Sequence, residues 1–157
     1  MIRLAKEEKP FPKPPPLLEQ DAFMSIQRNA DWLMRELEEI LKDHNLSPAQ
    51  YNVLRILRTA GPNGMACHEI GERMITRDPD MTRLLDKLED RDLLSRSRER
   101  QDRRVIRTRI SAVGLKLLKE LDDPVRNLHR KQLGHLSEKR LRLLVRLLES
   151  VREQVAR

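Results

Sequence analysis

Between Asp78 and Asp90 the apolar residues Met81, Leu84, Leu85 and Leu88 recur at the i, i+3, i+4, i+7 spacing of one buried helical stripe, leaving Pro79, Thr82, Arg83 and Lys87 outward. The spacing predicts a short helix over residues 78–90, with Asp78 as its cap and Pro79 at the first position, where a missing amide proton costs nothing. A second short helix is predicted just before it, over residues 66–75, with Ile70 and Met74 inward and Gly71 admitting a close neighbour helix. Only a tight turn fits between the two, so the pair forms a helix-turn-helix. After it the period changes to two. Ser95 to Arg98 and Val105 to Ile110 alternate as strands of a hairpin, with a polar loop from Glu99 to Arg104 between them. On the second strand Ile106, Thr108 and Ile110 share one face, and Val105, Arg107 and Arg109 share the other.

Longer helical patterns flank this stretch. From Leu17 to about His44, residues Phe23, Ile26, Ala30, Leu33, Leu37, Ile40 and Leu41 keep to one side of a helix, at a spacing suited to packing along another long helix. Ser47-Pro48-Ala49-Gln50 is a capping-box start for a helix that carries Tyr51, Val53, Leu54, Ile56 and Leu57 and stops at Gly61-Pro62. Ser111 opens a helix that runs to Gly134, with Asp122-Asp123-Pro124 marking a kink or break. Ser137 caps the last helix, in which Leu141, Leu143, Leu144, Val145, Leu147, Leu148, Val151 and Val155 are too many for a single stripe. A helix apolar over more than half its circumference needs cover from two sides, which predicts a homodimer.

The fold class that follows is mainly α with a small β-hairpin, a winged helix-turn-helix with long N- and C-terminal dimerisation helices. Within one compact domain the parts are a proline-rich arm (1–16), an N-terminal dimerisation helix (17–46), a DNA-binding lobe (47–111) and C-terminal dimerisation helices (112–157). In the arm, Pro10 and Pro12 to Pro16 surround Phe11 and Lys13 and exclude helix; it is either a disordered tail or an extended segment on a partner subunit.

Charge gives the hairpin a function. The 157 residues carry a formal net charge of +7, but residues 1–94 sum to −3, residues 95–109 to +5 and residues 110–157 to +5. A net charge of +5 within one hairpin attracts a polyanion, and beside a groove-sized helix that polyanion is double-stranded DNA. With one Trp, one Tyr and two Phe, the core must be aliphatic. A single cysteine forms no intrachain disulfide, and neither a signal segment nor a membrane-length apolar run is present, so a cytoplasmic protein without a membrane partner is expected.

Three segments resemble the MarR family of winged-helix bacterial transcriptional regulators: Leu46-Ser-Pro-Ala-Gln-Tyr-Asn-Val-Leu54, Met81-Thr-Arg-Leu-Leu-Asp-Lys-Leu-Glu89, and Asp102-Arg-Arg-Val-Ile-Arg-Thr-Arg-Ile-Ser-Ala-Val-Gly114. The most specific positions are Asp102, Arg104, Ser111 and Gly114 of the wing motif, and the resemblance covers about Phe23 to the C-terminus. It implies a homodimer whose recognition helices enter successive major grooves of a pseudo-palindromic operator while the wings reach flanking minor grooves. It also implies a repressor that releases DNA when a small aromatic or phenolic effector wedges beside the dimer helices. By that analogy Trp32, His44 and Tyr51 are candidate pocket residues, with core packing the competing role for Tyr51.

The chemistry of the DNA candidates is specific. Arg83 suits a guanine edge or a phosphate, Thr82 a phosphate or a thymine methyl, and Lys87 the backbone. Arg100 and Arg103 suit phosphate or groove contacts, and Arg104 a narrow minor groove, with Asp102 supporting its guanidinium rather than meeting DNA. Asp80 departs from the family pattern, in which a small hydroxyl residue is usual; with Asp78 it puts acid at the helix start, serving the helix dipole or a cytosine amino group. Asp92 stands where Gly is common and calls for a left-handed backbone. Cys67 and His68 do not meet on a helix, although Cys67 lies near a helix start where a thiolate is stabilised; His44, His68, His129 and His135 lack metal-ligand spacing. No phosphate loop or catalytic carboxylate pair is present, so no enzyme, cofactor or metal is expected. The competing functions are a helical interaction protein of the same fold without specific DNA binding, and a nonspecific architectural DNA binder.

Overall fold

The computed structural model describes residues 17–76, 79–98 and 106–153. In order, these form α1 (Leu18–Lys42), α2 (Pro48–Ala60), one 3-10 turn (Gly61–Asn63), β1 (Met65–Ala66), α3 (Cys67–Arg73), α4 (Met81–Glu89), β2 (Leu94–Arg98), β3 (Ile106–Ile110), α5 (Ala112–Leu133) and α6 (Glu138–Glu153). The chain divides into two compact units, residues 1–32 and 33–157. In the first, α1 exposes Phe23, Ile26 and Trp32.

In the second unit the aliphatic stripes meet in one core. Leu41, Val53, Leu54, Leu57, Ile70, Leu85, Leu88, Leu118 and Leu121 are almost fully buried, as the periodicity requires. The helix starts follow the cap chemistry. Ser47 Oγ accepts the Gln50 amide and Gln50 Oε1 accepts the Ser47 amide, a complete capping box. Ser111 Oγ caps α5 at Gly114, and Ser137 Oγ caps α6 at Arg140.

Several sequence expectations are corrected. The recognition helix starts at Met81, not near Asp78: its cap is Asp80, which accepts the Arg83 amide at 3.1 Å, so Pro79 precedes the cap instead of occupying the first turn. Asp78 itself lies outside the described residues. The helix expected over 66–75 spans only Cys67–Arg73, because Met65 and Ala66 pair with Thr108 and Arg107 as a third antiparallel strand in the order β1-β3-β2. Gly71 does not mediate close approach, since a Cβ there would have ordinary contact with Met81 at 3.9 Å. The tight glycines are elsewhere. At Gly64 (φ 64°) a Cβ would run into the Thr108 carbonyl, and at Gly114 it would run into the Leu93 carbonyl and Ile110. Of the kink or break expected at Asp122-Asp123-Pro124, there is no break: α5 continues as one helix with Pro124 inside it. On β3 only Thr108 is fully buried, while Ile106 is 47% exposed. Asp92 does take the left-handed backbone, with φ 56°.

α6 has no buried residue. Leu143, Leu144, Val145, Leu147, Leu148 and Val151 are each more than a third exposed. Among the described residues no helix is long and apolar enough to cross a membrane.

Candidate nucleic-acid interface

α4 is amphipathic in the way a groove-reading helix must be. Leu84, Leu85 and Leu88 anchor it in the core, and Thr82, Arg83 and Lys87 are exposed. Arg83 and Lys87 line one groove together with Asp80 and with Ser47 and Gln50 at the start of α2. Thr82 opens instead into a depression on the sheet side, shared with Cys67, Arg96, Arg98, Ile106 and Thr108. The two basic groups therefore act together, and the hydroxyl faces the wing. Asp80 is engaged in capping, and its acidity neutralises the amide-rich helix end. Pro79 is exposed just ahead of it. Arg100, Asp102, Arg103 and Arg104 lie outside the described residues, as does the expected support of Arg104 by Asp102.

The base of the wing holds functional partners that the sequence pattern missed. Arg96 on β2 donates its amide to Glu89 Oε1 at 2.9 Å and its Nε to Glu89 Oε2 at 2.8 Å, and a terminal nitrogen reaches both Glu89 and Asp86. One guanidinium thus joins the wing to the last turn of the recognition helix. The side-chain hydrogen bond from Arg96 holds the Glu89 carboxyl below its ordinary range, and Glu89 in turn raises Arg96. The signal was an i, i+3 acidic pair followed by a strand arginine, visible only once the strand's register against the helix is known. On the other side of the sheet, Glu69 accepts the Ala66 amide at 2.7 Å and an Arg107 nitrogen at 3.3 Å. The Ala66 amide is the main reason that the Glu69 carboxyl is lowered. Arg109 donates to the Pro62 carbonyl and to Ser97 Oγ. Three of the hairpin's arginines, Arg96, Arg107 and Arg109, therefore carry bonds that hold the sheet to its surroundings.

The three effector-pocket candidates are placed differently. Tyr51 is buried and lines a cavity of about 350 Å3 with Met34, Leu37, Arg55, Met74 and Ile75. Burial pushes its hydroxyl up, while Arg55, 5.7 Å from the ring centre, pulls the other way. The Ile75 amide donates to Asn52 Oδ1, so the cavity's rim at the α3–α4 turn is tied to α2. His44 is half-buried after α1 and does not line this cavity; Trp32 is 42% exposed in the first unit. Cys67 is a partly exposed free thiol, and among the described residues no three His, Cys, Asp or Glu side chains cluster as metal ligands.

Comparison with known proteins places this architecture. The model of the MarR family matches residues 46–106, from the α2 cap to the start of β3. A MarR transcription factor from Planctomyces limnophilus is 44% identical, with the match covering 85% of this chain and 97% of that one at a TM-score of 0.66. The HTH-type transcriptional repressor MdtR of Bacillus subtilis (strain 168) is 33% identical over 89 residues, which cover 57% of this chain and 56% of MdtR, so the chain spans little more than half the length of that curated relative. A structure of Bordetella bronchiseptica BpsR, a protein whose DNA binding is regulated by 6-hydroxynicotinic acid, shares the fold at a TM-score of 0.77 with 20% identity, over 88% of this chain and 97% of that one. With a relative 44% identical over nearly all of its solved chain and a winged helix built from the matched segments, the chain belongs to the MarR family of DNA-binding, non-enzymatic transcriptional regulators.

Proposed function

We propose that the protein is a cytoplasmic homodimeric repressor that binds a pseudo-palindromic operator and responds to a small aromatic or phenolic effector. The observation that carries the DNA reading is the outward Arg83 and Lys87 on a helix whose other face is locked into the core, with a basic hairpin bonded to its end. Dimerisation is supported by α6, on which no apolar residue is buried among the described residues and Leu143, Val145, Leu147 and Val151 are about half exposed. A second copy gives two recognition helices related by a twofold axis, hence a palindromic site. Thr82, Arg83, Lys87, Pro79 and Asp80 form the major-groove face, and Arg100, Arg103 and Arg104 the wing contacts, with Asp102 supporting Arg104.

Two features support effector control. The Tyr51 cavity combines Met34, Leu37, Met74 and Ile75 with the opposite charges of Arg55 and Glu38, a set suited to a small aromatic molecule with polar substituents. The depression beside Thr82 is lined in part by Thr108, whose buried Oγ1 lacks a hydrogen-bond partner among the described residues. A ligand that prefers a lobe spacing unsuited to DNA releases the operator by population shift.

The test is a salt titration of the purified protein against its own promoter DNA and against random duplex. A preference for the promoter of about a thousandfold or more is expected. Lys87→Gln should flatten the salt dependence of log K by about one unit, as loss of a single phosphate contact requires. Equal affinity for both duplexes identifies a nonspecific architectural binder, and no binding at low salt identifies an interaction protein. Adding 6-hydroxynicotinic acid or benzoate to the specific complex tests the effector arm.

A further inference from the structure

Three consecutive residues beyond the recognition helix touch both of the long helices that flank the winged lobe. Arg91 donates through its two terminal nitrogens to the carbonyls of Asn45 at 2.6 Å and His44 at 3.0 Å, in the turn that ends α1. Asp92, in its left-handed conformation, presents its carbonyl to the Ser111 hydroxyl at the start of α5. The Leu93 carbonyl accepts the Ser111 amide at 3.1 Å and lies against Gly114. The same segment is fixed to α4, because the Asp92 amide bonds to Glu89 O at 2.8 Å and the Leu93 amide to Leu88 O at 3.0 Å.

Of these links, that of Arg91 spans the largest gap in sequence and is made by a side chain. The carbonyls it binds belong to a helix end, where acceptors lack partners and a cation is favoured. Two donors of one planar group fix an angle as well as a distance; a lysine in the same place fixes neither. Arg83 lies in the first turn of α4, whereas Arg91 lies past its last.

We propose that Arg91 is a positioning residue: it sets the orientation of the recognition helix against α1, and thereby the half-site spacing that the dimer accepts, without touching DNA. The consequence for spacing rests on the DNA-binding reading above; the orientation itself does not. Two measurements on the full chain separate them. In a Cys67→Ser background, spin labels at Glu39 and Lys87, diluted with unlabelled chain, report the α1–α4 distance by pulsed EPR. Arg91→Lys should broaden and shift that distribution while the circular dichroism stays native. Separately, a duplex selected by the wild-type protein from a random pool is bound by Arg91→Lys roughly three- to thirtyfold more weakly, the range expected for coupling through a packed joint. The variant should also discriminate less against the same duplex with one base pair added at its centre, with an unchanged salt slope. An unchanged distance distribution overturns the proposal, as does a slope reduced by about one unit, which would mean a direct phosphate contact. Failure of the wild-type protein to select any duplex removes the DNA reading, and the distance measurement still decides the role of Arg91.

Discussion

Leu147→Asp is expected to leave the winged lobe folded, convert the protein to a monomer and lower specific operator affinity by roughly two to four orders of magnitude, the range gained when a second binding site is made intramolecular. Leu147 is 56% exposed in the isolated chain and, like every residue of α6, stands outside the core around Leu54, Leu85 and Leu118, so the substitution leaves that core intact. Its cost falls on the interface, where a carboxylate must either be desolvated or prevent closure. Sedimentation equilibrium reads the mass, and the titration against promoter and random duplex reads the affinity. Random-duplex binding should fall less, because one lobe still contributes its own charges. A variant that retains the dimeric mass would place the subunit contact elsewhere.

The second large effect is expected from Arg96→Met. The methionine keeps much of the side chain's bulk but leaves Glu89 and Asp86 unpaired at the junction of helix and wing. Side-chain exposures here run from 25% for Arg96 to 49% for Asp86. Solvent therefore screens the network, and a loss of about 1–2 kcal/mol is expected, with a corresponding drop in Tm. DNA binding should weaken further, since the wing no longer has a fixed orientation relative to α4. The pH dependence identifies the cause. The Glu89 carboxyl is depressed, so its stabilisation is fully present above the unfolded value of about 4.3 and is lost as the pH falls through the lower folded value. Wild type and variant should thus differ at neutral pH and converge in acid. A Tm difference that persists at pH 2 would show that packing, and not the ion network, supplies the effect.

Much of the fold was legible because it depends on local signals. Ser47 with Gln50, Ser111 and Ser137 name their helices by cap chemistry alone, and the buried residues of α2 and α4 repeat at the helical period. What escaped depends on partners distant in sequence. β1 is two residues long, too short to show a period, and exists only because β3 offers it a ladder. Asp78 and Asp80 have the same capping ability in sequence, and it is Asp80 that accepts the Arg83 amide. Gly71 looked like a contact glycine because it weakens a helix, yet the close approaches occur at Gly64 and Gly114, against backbone that arrives from elsewhere in the chain. The exposed basic face of the candidate site, Arg83 and Lys87, followed from the α4 stripe. Arg91 and Arg96 were indistinguishable from a solvated charge run until their acceptors were known.

Those two glycines have a mechanical meaning. Gly64 seats the loop before β1 on the middle of β3, and Gly114 seats the first turn of α5 on the end of β3 and on Leu93. In both contacts the nearest approach is to a backbone carbonyl, Thr108 or Leu93, with the Arg109 or Ile110 side chain beside it, so close-packed backbone must move with backbone. Displacement of α5 consequently carries the hairpin with it as a lever arm. Under the effector control proposed above, a tilt of α5 is expected to move the described strands of the hairpin with it, so that release of the operator would come from lost alignment rather than from the loosening of a single contact.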